Sequence, residues 1–162
     1  TWVAPAGGIT ESDQWRLTVD YTDSAEITAN LERNDSLGFA VQGSGMTESS
    51  GEFTFPSTGY WLITFQLATR LSGDSRYNNA SLYTTTNSGT NWSLVASNGD
   101  GFAHSGGGLT YSSSIAIFQF DVTNVSTHGV RFASDPFNAS TWTIGASTQN
   151  QTCVTFTRLG DT

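Results

Sequence analysis

Lysine is absent from this sequence of 162 residues, and six arginines stand against fourteen acidic residues, for a formal net charge of −8. Nucleic-acid binding needs clustered cations that replace the counterions of phosphate, and an anionic membrane surface would repel this chain. Schiff-base chemistry and the phosphate-binding lysine of a P-loop are excluded as well. We therefore expect no nucleic-acid partner and no membrane insertion.

Cysteine, histidine and long apolar runs are also scarce. Cys153 is the single cysteine, and its strand-like surroundings favour a small core hydrophobe over a catalytic thiol. His104 and His128 lie in glycine-bearing turns, without the spacing of a zinc site. There is no Gly-x-Ser-x-Gly motif and no apolar run that could span a bilayer. The sequence thus predicts no catalytic residue, no metal, no cofactor and no enzyme.

Aromatic residues and small polar residues dominate what is present. Ten Phe, five Trp and five Tyr stand among many Ser, Thr, Gly and Asn residues. Aromatic side chains fit a pleated surface, while Gly and Asn fit tight turns, so strands are favoured over helices. The pattern predicts roughly nine or ten short strands in an antiparallel sandwich or jelly roll. We expect an N-terminal arm at residues 1–13 and one jelly-roll domain at residues 14–162.

The stretch from Gly51 to Leu71 organises this prediction. A short strand ends at Pro56, Gly59 turns the chain, and a long alternating strand follows. Its core-facing set is Trp61, Ile63, Phe65 and Leu67. The opposite set begins with Tyr60 and Leu62 and is too apolar for a face open to water.

Further strands are expected at 14–19, 26–33, 37–41, 80–86, 91–96, 111–122, 130–133, 141–144 and 151–159. A short helix is the alternative for 26–33, but the alternation of its apolar residues favours a strand. Loops or turns are expected at 73–79, 97–101, 102–110 and 134–136.

A known superfamily shares this pattern. The run Phe-Thr-Phe-Pro-x-x-Gly-Tyr-x-x-Ile-x-Phe, from Phe53 to Phe65, resembles the central strands of the tumour necrosis factor (TNF)/complement globular-head superfamily. Residues 114–123, 130–132 and 152–160 resemble its later strands, and residues 45–51 resemble versions in structural proteins of tailed bacteriophages. The resemblance implies a TNF-like jelly roll that assembles as a homotrimer.

The resemblance also orders the functional hypotheses. It favours a non-enzymatic structural protein on the virion surface. Such a protein would be a capsid decoration or cement protein, or a fibre tip, and its partners would be capsid or fibre proteins. The alternative is a secreted or virion-borne module that binds a carbohydrate or a receptor, such as a cell-surface glycan. An enzyme such as a glycosidase ranks below both, because no carboxylate pair can be assigned.

Candidate contact residues follow from these hypotheses. Tyr60 and Leu62 are assigned to the trimer interface, and Trp2 to an anchor on the arm. The predicted contacts on outward loops are Tyr77, Trp92, Phe102 and His104. Aromatic residues beside loops either stack on a sugar ring or pack as ordinary core, and their general enrichment in β cores favours packing. The acidic loops favour a solvated surface over a calcium site.

Overall fold

Two antiparallel sheets lie face to face in the computed structural model, which describes residues 8–103 and 106–162. These residues contain no α-helix, and hence no helix able to cross a membrane. The strands are β1 (Ser12–Leu17), β2 (Tyr21–Thr22), β3 (Ala25–Glu26), β4 (Leu31–Arg33), β5 (Thr47–Ser49), β6 (Glu52–Thr54), β7 (Gly59–Leu71), β8 (Ser75–Thr85), β9 (Ser93–Phe102), β10 (Thr110–Val122), β11 (Gly129–Pro136), β12 (Trp142–Thr143) and β13 (Cys153–Gly160).

The first sheet, sheet A, is built around β7. Along one edge β7 pairs with β10 over the full length of both strands, and along the other it pairs with β13 and then β12. Strand β1 continues the sheet beside β13, β4 lies beside β1, and β2 lies beside β12. Strand β7 is central because it pairs with neighbours along both of its edges, and with 13 residues it is as long as β10.

The second sheet, sheet B, has the order β5-β6-β11-β8-β9, and β3 also pairs with β11. Strand β9 is an edge strand of sheet B, and it approaches β10 of sheet A. Asn98 on β9 donates a side-chain hydrogen bond to the carbonyl oxygen of Ile115 on β10, at 3.1 Å. Ser112 Oγ of β10 also donates to the Asp100 carboxylate of β9 at 3.3 Å, so side-chain hydrogen bonds rather than a strand ladder join the two sheets here.

An aromatic cluster fills the space between the sheets. Phe53 and Phe156 are fully buried with ring centroids 5.2 Å apart, and Phe65 lies 4.8 Å from Phe132. Trp61, at 1 % exposure, donates its indole N–H to the carbonyl oxygen of Ser57. The all-β sandwich and the inward face of β7 predicted from the sequence are thus confirmed.

Polar segments that were expected to be loops are strands. Residues 75–79 belong to β8 because Ser75 and Asn78 are buried and bonded to each other, Ser75 Oγ donating to Asn78 Oδ1 at 2.9 Å. Residues 97–101 belong to β9, whose polar side chains face water at the sheet edge. Residues 134–136 extend β11, because they pair with residues 78–80 of β8, and the strand ends at Pro136. The prediction of loops from turn-forming residues was therefore wrong at strand ends where strand pairing satisfies the polar groups.

Near the N-terminus the predicted strands are wrong in detail. The strand expected at 37–41 is a turn, in which Phe39 N–H bonds to the carbonyl oxygen of Ser36 and Gly38 adopts φ +92°. The strand expected at 26–33 is two short strands, β3 and β4. Strand β1 begins at Ser12, two residues before the predicted start, and ends at Leu17, leaving Val19 exposed.

The connections cluster at two ends of the sandwich, named here after one residue each. The Trp92 end carries residues 55–58, 86–92 and 123–128, together with the start of β1 and the end of β13. The Tyr77 end carries residues 72–74, 106–109 and 137–141. The described chain therefore begins and ends at the Trp92 end.

Candidate functional site

The outer surface of sheet A carries five large apolar side chains on its β7–β10 half, interspersed with polar ones such as Thr64, Gln66 and Gln119. The register pairs Ile115 with Gln66 and Ile117 with Thr64, which places both isoleucines on the side of sheet A that faces away from the core. We call the outward-facing set Tyr60, Leu62, Tyr111, Ile115 and Ile117 the apolar face. It lies along β7 and the edge strand β10.

The apolar face is exposed in the single chain. Tyr60 is 37 % exposed, Ile115 42 %, Ile117 58 % and Tyr111 62 %. Adjacent exposed apolar side chains on a soluble protein mark a surface that associates. The sequence assigned only Tyr60 and Leu62 to this face. The run Ser-Ile-Ala-Ile-Phe-Gln-Phe could have pointed to β10 as well, because both of its alternating sets contain large apolar residues.

The other half of the same surface is polar and centres on Arg16 of β1, whose side chain is completely buried. Its guanidinium pairs with Glu32 at 2.6 Å and also with Asp35, and it donates to the Ser36 hydroxyl at 2.9 Å. Burial by itself would lower the pKa of Arg16, but the hydrogen bonds and charges of the two carboxylates outweigh it and raise that pKa above its ordinary value.

The Tyr77 end carries an exposed aromatic pair. Tyr77 meets Phe137 edge to face with centroids 5.5 Å apart, and Arg76 lies 4.9 Å from the Phe137 ring. Phe102, also at this end, is the last residue of β9 and is buried at 9 % exposure. His104 and Trp2 lie outside the described residues. Of the predicted loop contacts, Tyr77 and Phe102 thus share one end.

Trp92 lies at the opposite end, in a cleft between two turns. The cleft has a volume of about 200 Å³ and is bounded by strand β6 and by the turns at 86–92 and 123–128. His128, on its wall, is largely buried, stacks on Phe120 and bonds through both ring nitrogens to Thr123 and Thr127. The histidine is therefore a structural residue, and Trp92 and its neighbours form the open part of the cleft.

No metal-binding group of three or more His, Cys, Asp or Glu side chains occurs among residues 8–103 and 106–162. Burial raises the pKa of the Cys153 thiol, which disfavours the reactive thiolate. Burial also raises the pKa of the Tyr21 hydroxyl. Hydrogen bonds with Thr143 and Ser134 act in the opposite direction but are outweighed. Neither shift activates a nucleophile.

No protein-family model and no curated protein sequence matches this chain. Among solved structures, murine APRIL at pH 5.0 superposes with a TM-score of 0.65 at 11 % identity, covering 92 % of this chain and 98 % of APRIL. Eiger TNF from S. frugiperda superposes with a TM-score of 0.62 at 13 % identity, covering 96 % of each chain. The fold is therefore a TNF-like jelly roll over nearly the whole chain, as the resemblance implied.

Proposed function

We propose that this protein is a homotrimeric, non-enzymatic binding module that acts outside the cell and recognises a receptor or a carbohydrate. The observation that carries the proposal is the apolar face on sheet A. The likeness of the whole chain in fold to APRIL and Eiger TNF supports a binding module of this type. The trimeric habit of the superfamily that the sequence resembles supports the threefold arrangement.

The apolar face has the character of a self-association surface. It lies on two neighbouring strands and includes both Tyr60 and Leu62, the residues assigned to the interface from sequence, with polar residues such as Gln119 and Asp121 between its members. Removing apolar surface from water contributes about 25 cal/mol per Å² before the costs of association are subtracted. A closed ring of three copies covers one such face on every chain, whereas an open chain of copies leaves faces exposed.

Association through sheet A leaves both ends of the sandwich free. Tyr77 and Phe137 at one end, and the Trp92 cleft at the other, include no residue of the apolar face. Loops on a rigid sandwich are common places for recognition. Three copies would present three equivalent sets of loops, which strengthens binding to a multivalent surface.

A role on the virion surface, with capsid or fibre proteins as partners, remains a prediction from the sequence. The relatives in fold named above give it no support, while they do support the binding module. The two roles differ in their partner and not in their fold, since the same jelly roll can serve either.

The trimer is tested by changing the apolar face. Replacing Ile117→Glu would put a carboxylate on each chain at a surface that must lose its water, so we expect a trimer to become a monomer. Light scattering gives the mass of both proteins directly. The control is Leu37→Glu, since Leu37 is fully exposed on a turn outside the face and its replacement should leave the trimer intact. A wild-type monomer at micromolar concentration would contradict the proposed assembly.

Binding is tested on immobilised glycans and on intact cells with fluorescently labelled protein. We expect the wild-type trimer to bind one of these surfaces and the monomeric Ile117→Glu variant to bind it more weakly, because three linked sites raise avidity. Absence of binding to every surface would contradict the binding role. Turnover of a bound glycan would contradict the non-enzymatic part of the proposal.

A further inference from the structure

The cleft at the Trp92 end has the features of a small-ligand site. Glu52 and Thr54 of β6 form one wall, Ser88 and Gly89 a second, and Ser126 and Thr127 a third, with Trp92 among them. The lining is thus mixed: one indole, one carboxylate, several hydroxyls and glycine backbone. Pockets that combine an aromatic surface with a few convergent polar groups are the usual form of a ligand site.

Hydrogen bonds hold the two turns together before any ligand arrives. Ser88 N–H donates to the carbonyl oxygen of Thr127 at 2.9 Å, and Ser88 Oγ donates to the carbonyl oxygen of Ser126 at 3.1 Å. Within the second turn, the N–H groups of Thr127 and His128 both bond to the carbonyl oxygen of Asn124. A cleft formed in this way loses little conformational entropy when it binds a ligand.

The indole of Trp92 is fixed from behind by a cation. The Arg131 guanidinium lies 4.5 Å from the ring centroid of Trp92 and 5.5 Å from that of Tyr83, and it pairs with Glu26 at 2.8 Å. Arg131 therefore covers one face of the indole and is held there by Glu26, while its buried Nε has no hydrogen-bond partner among the described residues. The remaining surface of Trp92 lines the cleft.

Two polar groups converge in the cleft in front of Gly89. A Cβ atom placed on Gly89 would lie 3.6 Å from Oε2 of Glu52 and 3.7 Å from Nε1 of Trp92, with no closer neighbour. Within the described residues, neither the Glu52 carboxylate nor the Trp92 indole N–H has a hydrogen-bond partner. A carboxylate that accepts and an indole that donates, side by side, match a ligand hydroxyl, which does both.

We propose that this cleft binds one ring of a neutral saccharide. Trp92 supplies an apolar surface for the carbon–hydrogen face of the sugar, while the Glu52 carboxylate and the Trp92 N–H bond to its hydroxyl groups. An anionic sugar is disfavoured, because the Glu52 carboxylate is unpaired, Arg131 is paired with Glu26, and the chain carries a net charge of −8. The proposal deepens the binding function proposed above by naming a site and a ligand class.

The indole nitrogen of Trp92 provides a direct readout. In protein labelled with ¹⁵N-tryptophan, titration with a panel of methyl glycosides of glucose, galactose, mannose, fucose and N-acetylglucosamine should shift the Trp92 indole resonance saturably for at least one sugar. Methyl glucuronide and sialyllactose, as anionic probes, should shift it less. If no neutral glycoside shifts this resonance, or if only the anionic probes do, the proposal is wrong.

Two variants locate the site. Trp92→Phe keeps a ring for Arg131 to pack on but removes the N–H, and Glu52→Gln replaces an exposed carboxylate; each should weaken binding about tenfold, equivalent to about 1.4 kcal/mol. Affinities for both come from calorimetry with the glycoside that binds. The matched control is Trp142→Phe, because Trp142 is a partly exposed tryptophan under another arginine, Arg70, and lies outside the cleft. Unchanged affinity in both cleft variants, or equal loss in the control, would overturn the assignment.

The test is independent of the trimer. None of the residues that line the cleft belongs to the apolar face, so the monomeric Ile117→Glu variant should bind the methyl glycoside with wild-type affinity. Failure of the trimer would leave this result unchanged, and failure of the glycoside titration would leave the trimer unchanged. Glycoside affinity that disappears in the monomer would contradict a site formed within one chain.

Discussion

At the scale of single residues, Arg16 shows how this fold accommodates a buried positive charge near one edge of sheet A. Its side chain has no exposure to water, while Glu32 keeps 36 % and Asp35 keeps 76 % of theirs. A buried charge is tolerated only when its donors are satisfied, and Arg16 donates to side chains and to the carbonyl oxygen of Ser147. It thus connects β1 to β4 and to the segment before β13.

Removing this cation should destabilise the fold. We expect Arg16→Met to lower the free energy of unfolding by about 2–3 kcal/mol, less than the loss of a wholly buried pair, because Glu32 and Asp35 can regain water. Urea unfolding followed by tryptophan fluorescence measures the change. Arg76→Met is the control, since Arg76 is exposed and should change stability by only about 0.5 kcal/mol or less. Equal effects of the two replacements would show that the Arg16 network contributes nothing specific.

At the scale of elements, the first half of β8 depends on buried polar side chains. Asn78 is 1 % exposed, and its amide nitrogen donates to the carbonyl oxygen of Asp100 on β9 at 3.0 Å. The backbone carbonyl oxygen of Asn78 accepts a hydrogen bond from Ser114 Oγ on β10 at 2.9 Å. The β8–β9 register shifts between Ser75 and Asn78, so the side chain supplies a bond where the regular ladder is interrupted.

Truncating Asn78 should loosen this part of sheet B. We expect Asn78→Ala to cost about 1–3 kcal/mol, because the Asp100 carbonyl and the Ser75 hydroxyl lose a buried partner. Hydrogen exchange should increase at residues 75–79 and 98–102 more than in β7. The exposed neighbouring change Arg76→Ala should leave exchange in both segments nearly unchanged. Uniformly faster exchange across both sheets would contradict a local role for Asn78.

At the scale of the whole molecule, net charge opposes the proposed assembly. Each chain carries −8, so a trimer gathers three strongly acidic chains that repel one another. In the proposed trimer the attraction comes from the apolar face, which salt does not screen. The balance between these two forces should therefore depend on ionic strength.

Added salt should strengthen the trimer. Raising ionic strength from about 0.01 M to 0.1 M shortens the Debye length from roughly 30 Å to 10 Å, and this weakens repulsion between chains. We expect the dissociation constant from sedimentation equilibrium to fall over that range. A dissociation constant that rises with salt would show that ion pairs, rather than the apolar face, hold the chains together.

Local patterns in the sequence account for much of the fold. The alternation around Trp61 and Phe65 determines which face of β7 meets the core, and both residues are buried. The same reasoning failed where composition and burial disagree. Leu37 has the apolar character of a strand residue but is fully exposed on a turn, while Ser75 has the character of a loop residue but is buried in strand β8. Composition reports the average behaviour of a residue type, whereas burial depends on the packed neighbours of one position.

The sequence by itself determined an all-β chain, its strand periodicity and its acidic charge, because each of these depends on neighbouring residues or on simple counts. Only the tertiary structure decided which side of β10 lies open, and which distant residues meet. Glu52 and Trp92 are far apart along the chain and converge beside Gly89 because strand pairing and turn geometry place them there. Such convergence depends on register between strands, and no local pattern carries that information.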